Sequence, residues 1–186
     1  MKKTALSVLI TFAIGPAIAD DFTDTLESAR QAYEEGDISG AREEMVYGTQ
    51  LLSQMRALSL QEFLPKAMDG WERKDTKNRN NARLSVMGGG TTAVARYRNG
   101  KKNIKISIIA DSPMIQGLSM LFSNPALAGA QGTMKRIERQ KVLVKPDGSI
   151  STLLNKRISV EITGRAPVED KEAYFKEIDF KGLKAF

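Results

Sequence analysis

Histidine and cysteine are both absent from this chain of 186 residues. Without imidazole or thiolate it cannot assemble a Ser-His-Asp or Cys-His nucleophilic site, a zinc site of the usual ligands, an iron–sulfur cluster or a His-ligated haem. No disulfide can form, so stability must come from packing. Carboxylate, lysine, tyrosine and Ser-Lys chemistry remain open. The balance points to a non-catalytic protein with no cofactor and no metal.

What the N-terminus does contain is an export pattern. Lys2 and Lys3 form a positive start, Ala5 to Ile14 an apolar stretch, and Ala17-Ile18-Ala19 a small-x-small cleavage site before Asp20. The apolar run falls short of the roughly 20 residues a membrane-spanning helix needs, and Gly15 and Pro16 break it. Residues 1–19 are therefore expected to be a signal peptide cleaved after Ala19, and the mature protein to be periplasmic. About 167 residues remain, enough for one domain with a sizeable core and a small appendage.

Charge is unevenly placed. From Asp20 to Arg56 there are 9 acids and 3 bases, whereas from Ala57 to Phe186 there are 23 bases and 13 acids. An acidic arm precedes a basic body. In a cytoplasmic protein such a body would suggest nucleic acid, but export argues against that and for anionic lipid headgroups or an acidic protein partner. The basic candidates are Arg96, Arg98, Lys101 and Lys102 at one hairpin tip, with Lys135, Arg136, Arg139 and Lys141 on a later strand.

Along the acidic arm, Phe22, Leu26, Ala29 and Tyr33 recur at helical spacing, Gly36-Asp37 interrupts, and a second helix follows from about Ile38 to Leu58 with Ala41, Met45, Leu52 and Met55 toward the first. The phrase from Tyr33 to Ala41 resembles the turn of a tetratricopeptide repeat, but no second copy is present, so a docked helical hairpin over residues 20–60 is expected rather than a solenoid. Trp71 is expected to plug the junction between helices and sheet, and Glu72 to Arg83 to be a polar loop or linker.

Strands fill the body, residues 61–186. Asn99-Gly100 signals a two-residue hairpin turn; setting Arg98 opposite Lys101 places Ala93, Ala95, Ile104, Ile106 and Ile108 on one face. The stretch Gly88-Gly89-Gly90 lacks the flanking residues of a phosphate loop and reads as a flexible entry or bulge. A long strand from Lys135 to Lys145 turns at Pro146-Asp147-Gly148, returns over Ser149 to Leu154, and turns at Asn155-Lys156 into Arg157 to Thr163. Placing Leu153 opposite Ile158 puts Val142, Val144, Leu153, Ile158, Val160 and Ile162 on one face. Pro167 opens a last helix from Val168 to about Ile178, and Phe180, Leu183 and Phe186 dock as a tail. The expected fold class is α+β: a twisted antiparallel sheet of about five strands with helices packed on it, after an N-terminal helical hairpin.

Pro65, Gly70 and Trp71 ahead of the strand run, with a helix inserted between hairpins and a helix at the end, resemble the PsbP-like α/β/α sandwich over about residues 60–186. That resemblance implies a non-catalytic accessory protein that binds an assembly or a small ligand; it carries over no ligand residues, and the helical hairpin departs from it.

One stretch stands apart. Ser112 to Met134 holds no charged residue in a chain that is 27% charged. Met114, Ile115, Leu118, Leu121 and Phe122 share a helical face that could cover the sheet, beginning at a cap formed by Asp111 and Ser112 ahead of Pro113. Met120, off that stripe, and Asn124, Pro125 and Leu127 in an irregular second half are the candidate contacts for an apolar small molecule or an envelope protein, with Trp71 as a further candidate. The leading expectation is a binding or accessory protein using this segment. The alternative is binding to an anionic membrane or envelope surface through the basic groups. The third is a hydrolase built on Asp111 with Glu138 or Glu161.

Overall fold

The structure, a computed structural model, describes residues 16–75 and 90–186. The part of the expected signal peptide before Pro16, and Gly88 and Gly89, lie outside the described residues. Two compact units meet between Met55 and Arg56.

The first unit is helical. Helix α1 spans Pro16–Glu34 and α2 spans Ile38–Gln61, its last six residues belonging to the second unit. The turn between them follows from Gly36 at φ 83°, a left-handed value glycine reaches freely, and from the Asp37 carboxylate, which accepts from the backbone N–H of Gly40 at 2.9 Å. The facing positions differ from the expected stripe. Small residues, Thr25 and Ala29, are buried on α1, and Gly48 is 3.5 Å, measured from a hypothetical Cβ, from Phe22 and Thr25. Leu26, Tyr33, Met45 and Leu52, which were expected inside, are exposed. Close approach at Gly48 rotates the larger side chains outward.

In the second unit a seven-stranded, wholly antiparallel sheet runs in the order β1-β2-β3-β7-β6-β5-β4 among the described residues. Its strands are β1 (Glu72–Asp75), β2 (Thr91–Asn99), β3 (Lys102–Ala110), β4 (Thr133–Ile137), β5 (Gln140–Val144), β6 (Ile150–Leu154) and β7 (Ile158–Thr163). The α+β class is as read, but the strand count exceeds five for two reasons. Glu-Arg-Lys-Asp, which reads as linker, pairs with β2 as an edge strand, its charges suiting an exposed edge. The expected single strand from Lys135 is a hairpin, because Glu138 and Arg139 both adopt positive φ, 47° and 61°. Neither is a residue that announces such a turn.

Two registers also differ. Asn99 pairs with Lys102, so the β2–β3 loop is Gly100-Lys101 with Gly100 at φ 55°, and Ala95 faces Ile106. That slip of two keeps every side chain on its expected face. At the β6–β7 loop the slip is one: Leu154, not Leu153, pairs with Ile158, because Arg157 is an extra residue beyond the turn Asn155-Lys156. A slip of one exchanges faces, so Ile150, Thr152 and Leu154 join Val142, Val160 and Ile162 in the core.

That core face is covered by Leu60 and Leu64, by α5 (Val168–Lys176) and by α6 (Phe180–Ala185), through Tyr174, Phe175, Ile178, Phe180 and Leu183. Trp71 packs edge-on to Tyr174 at 5.4 Å between ring centroids, and the Tyr97 hydroxyl donates to the Pro65 carbonyl at 2.6 Å. Burial pushes both tyrosine hydroxyls above their ordinary pKa. The other face carries Leu143, Ser151, Ser159 and Glu161, and helices α3 (Ile115–Ser123) and α4 (Pro125–Gln131) lie on that side, as the Lys141 amine shows by donating to the Phe122 carbonyl at 3.0 Å. The second unit is thus layered helix, sheet, helix.

Candidate functional site

The uncharged segment becomes two helices joined by a sharp turn at Asn124. The Asn124 side-chain oxygen accepts from the backbone N–H groups of Ala126 and Leu127 at 3.0 and 3.4 Å, and Pro125 takes the first helical position, where its missing N–H costs nothing. The stretch from Pro125, expected to be irregular, is therefore an ordinary short helix, and Asn124 is its cap. At the far end Gly132 is required by crowding: a Cβ there would lie 2.3 Å from the Val144 carbonyl oxygen.

On α3 the buried side centres on Ile115, with Leu118, Leu121 and Phe122 half-buried. Met114, expected in that stripe, is 69% exposed at the position just before the helix begins. Met120 is also 69% exposed and Leu127 49%. Gly117 lies between the two methionines at steps of three, with open space where a Cβ would point. The outward surface of α3 and α4 thus presents two flexible methionines and a leucine around small residues, with no charge among them. Trp71 is not part of it; it packs on the opposite face of the sheet.

A cleft of about 560 Å³ opens where α3 begins. Its floor is Ser112, Ile115, Gln116 and Ser119; its far wall is Lys156 and Arg157. Asp111 joins the two. It stands directly across from Arg157 at the end of the β3–β7 ladder, its backbone N–H donating to the Arg157 carbonyl at 2.9 Å, and it turns the chain with φ 54°, a value asparagine and aspartate tolerate better than other residues. Arg157 grips the Asp111 carboxylate with two bonds, Nε to Oδ1 at 2.7 Å and Nη2 to Oδ2 at 3.1 Å, and Arg56 adds one at 2.8 Å. These guanidinium hydrogen bonds, that of Arg157 first, hold the carboxyl down to about 2. The expected cap at Asp111 is thus absent: its side chain serves the arginines, and only a long 3.4 Å bond from the Met114 N–H to the Ser112 hydroxyl tightens the entry.

The carboxylates proposed for hydrolysis do not converge. Glu161 lies four residues along β7 from the position facing Asp111, roughly 13 Å at strand rise, and is paired with Lys145. Glu138 sits in the β4–β5 turn, three to four strand spacings or roughly 14–19 Å across the sheet from the strand that Asp111 ends. The described residues contain no cluster of three acids able to hold a metal ion.

Nor do the basic residues form one patch. Arg96, Arg98 and Lys101 lie near one sheet edge and Arg136 and Arg139 near the other, β2 and β4 being five strand spacings or roughly 24 Å apart. Lys102 and Lys135 are each ion-paired to α5, with Asp170 at 2.8 Å and Glu172 at 3.4 Å. No helix among the described residues is long and apolar enough to cross a membrane.

Sequence reasoning missed Arg157 and Lys156. The signal for them was a loop one residue too long for the turn it contains, visible only once Ile158 is paired with Leu154. Comparisons with protein-family models, with curated proteins and with solved structures found no match for the chain.

Proposed function

We propose that this chain is a non-catalytic, exported binding or accessory protein that engages an apolar ligand or protein partner through the segment 112–134. The observation that supports it is the exposure of Met114, Met120 and Leu127 on helices without a charged residue, in a chain where charge is otherwise plentiful. Methionine suits such a surface because its unbranched thioether adapts to varied apolar shapes. Export through a signal peptide cleaved after Ala19 belongs to the same reading, as does a kinship with the PsbP-like sandwich, which the helices on both faces of the sheet favour. Binding to an anionic surface has weaker support, since the basic residues are divided between two edges and two of them are already paired.

Native mass spectrometry of the protein purified from its own envelope compartment tests the reading. The wild type should retain an apolar molecule or a companion chain that the double variant Met120→Glu, Leu127→Glu loses while keeping its circular dichroism spectrum. Retention of the same companion by the variant, or none in either, overturns it.

A further inference from the structure

The cleft beside Asp111 carries a more specific identity for the ligand. Arg157 spends two of its five N–H donors on Asp111, Nε–H and one on Nη2, which leaves three directed elsewhere and the guanidinium plane fixed. Lys156, its neighbour on the same wall, has no partner among the described residues. The Asp111 charge is shared between Arg56 and Arg157, so the node of Arg56, Asp111, Lys156 and Arg157 holds three cations against one anion, a surplus of two positive charges. The rest of the cleft is lined by Ile115, Gln116, Ser112 and Ser119, none of them charged. The outer side of the same helix continues into the exposed surface around Met114 and Met120.

Anionic recognition at one end and an uncharged, apolar helix at the other describe an amphiphile. We infer that the cleft takes the carboxylate head of a single-chain alkyl acid, held by Lys156 and Arg157, with the chain laid along α3. The inference rests on the apolar-binding reading for the ligand's chain and adds the head. Asp111 acts as a positioning residue: it fixes the guanidinium and does not touch the ligand. The arrangement also explains why a loop residue as costly as a left-handed lysine, Lys156 at φ 54°, stands where asparagine or glycine would be easier.

The test is titration of the full mature chain with decanoate, decanol and acetate, followed by amide chemical shifts and calorimetry. Decanoate should saturate, shift Ser112 to Ser119 and Lys156-Arg157, and bind at least about tenfold more tightly than either control, the worth of one charge-assisted hydrogen bond. Lys156→Asn, which the left-handed turn accommodates, should weaken decanoate about fivefold or more and leave decanol unchanged. Decanol binding as well as decanoate, or Lys156→Asn without effect, overturns the head site while leaving the apolar reading intact. Acetate binding as tightly as decanoate overturns the amphiphile, while the apolar reading still stands or falls on the companion retained in native mass spectrometry. Absence of saturable decanoate binding overturns the inference outright.

Discussion

Replacing Asp111 by asparagine removes one charge and almost nothing else, because asparagine keeps both the side-chain shape and the tolerance for φ 54°. A carboxyl that titrates near 2 folded and near 3.8 unfolded contributes at most about 2.5 kcal/mol at neutral pH. The Asp111 side chain is 31% exposed and both arginines nearly half exposed, so solvent screening brings the expected contribution to about 1 kcal/mol. The sign follows from the depressed folded value. The stabilisation is fully present above about pH 4, declines as pH falls between about 4 and 2, and is gone below the folded value. Urea unfolding of wild type and Asp111→Asn from pH 7 to pH 2 should therefore show a gap of about 1 kcal/mol that closes on acidification and narrows in high salt. Equal stability at pH 7 in low salt, or a gap that persists at pH 2, would refute the ionic account of this node.

Two further substitutions test packing. Gly132→Ala should cost about 2 kcal/mol or more, since its methyl group would meet the Val144 carbonyl oxygen, whereas Gly117→Ala, facing open space inside α3, should gain about 0.5–1 kcal/mol from helix propensity; thermal unfolding of both variants checks the contrast. Lys171 is 1% exposed and its amine makes one long bond, 3.4 Å, to the Asp147 carbonyl. Lys171→Met, of similar volume, should raise the urea midpoint by the equivalent of about 1 kcal/mol, and a fall of that size would mean that the buried ammonium is better compensated than its contacts indicate.

Legibility in the sequence followed the size of the physical signal. Alternation of Ile104, Ile106 and Ile108 against Ala93 and Ala95 fixed which side chains enter the core even though the register was two residues out, because a slip of two preserves faces. The pair Leu153 and Leu154 offered no such protection: adjacent apolar residues fit either face, and only the extra Arg157 decides between them. The turn at Glu138-Arg139, with neither glycine nor asparagine, gave no signal, and neither did a strand composed wholly of charged residues, Glu72–Asp75. The exposure of Met120 follows from its position off the helical stripe, whereas Leu127 lies on a helix where the sequence reads as irregular. The cleft could not be read from the sequence, because it depends on Asp111 and Arg157 standing opposite each other across two strands far apart in the chain, whose pairing no turn signal announces.

The exposed side chains of the first unit bear on how the protein must be handled by the cell. Leu26, Tyr33, Ile38, Met45, Val46, Tyr47 and Leu52 are all exposed on an arm in which acids outnumber bases nine to three. Left neutral, seven such side chains on 36 residues would invite indiscriminate clustering while the chain is incompletely folded. The surrounding carboxylates make two copies repel. Acidic content in this arm thus works as an antifouling coat that keeps a sticky surface dispersed.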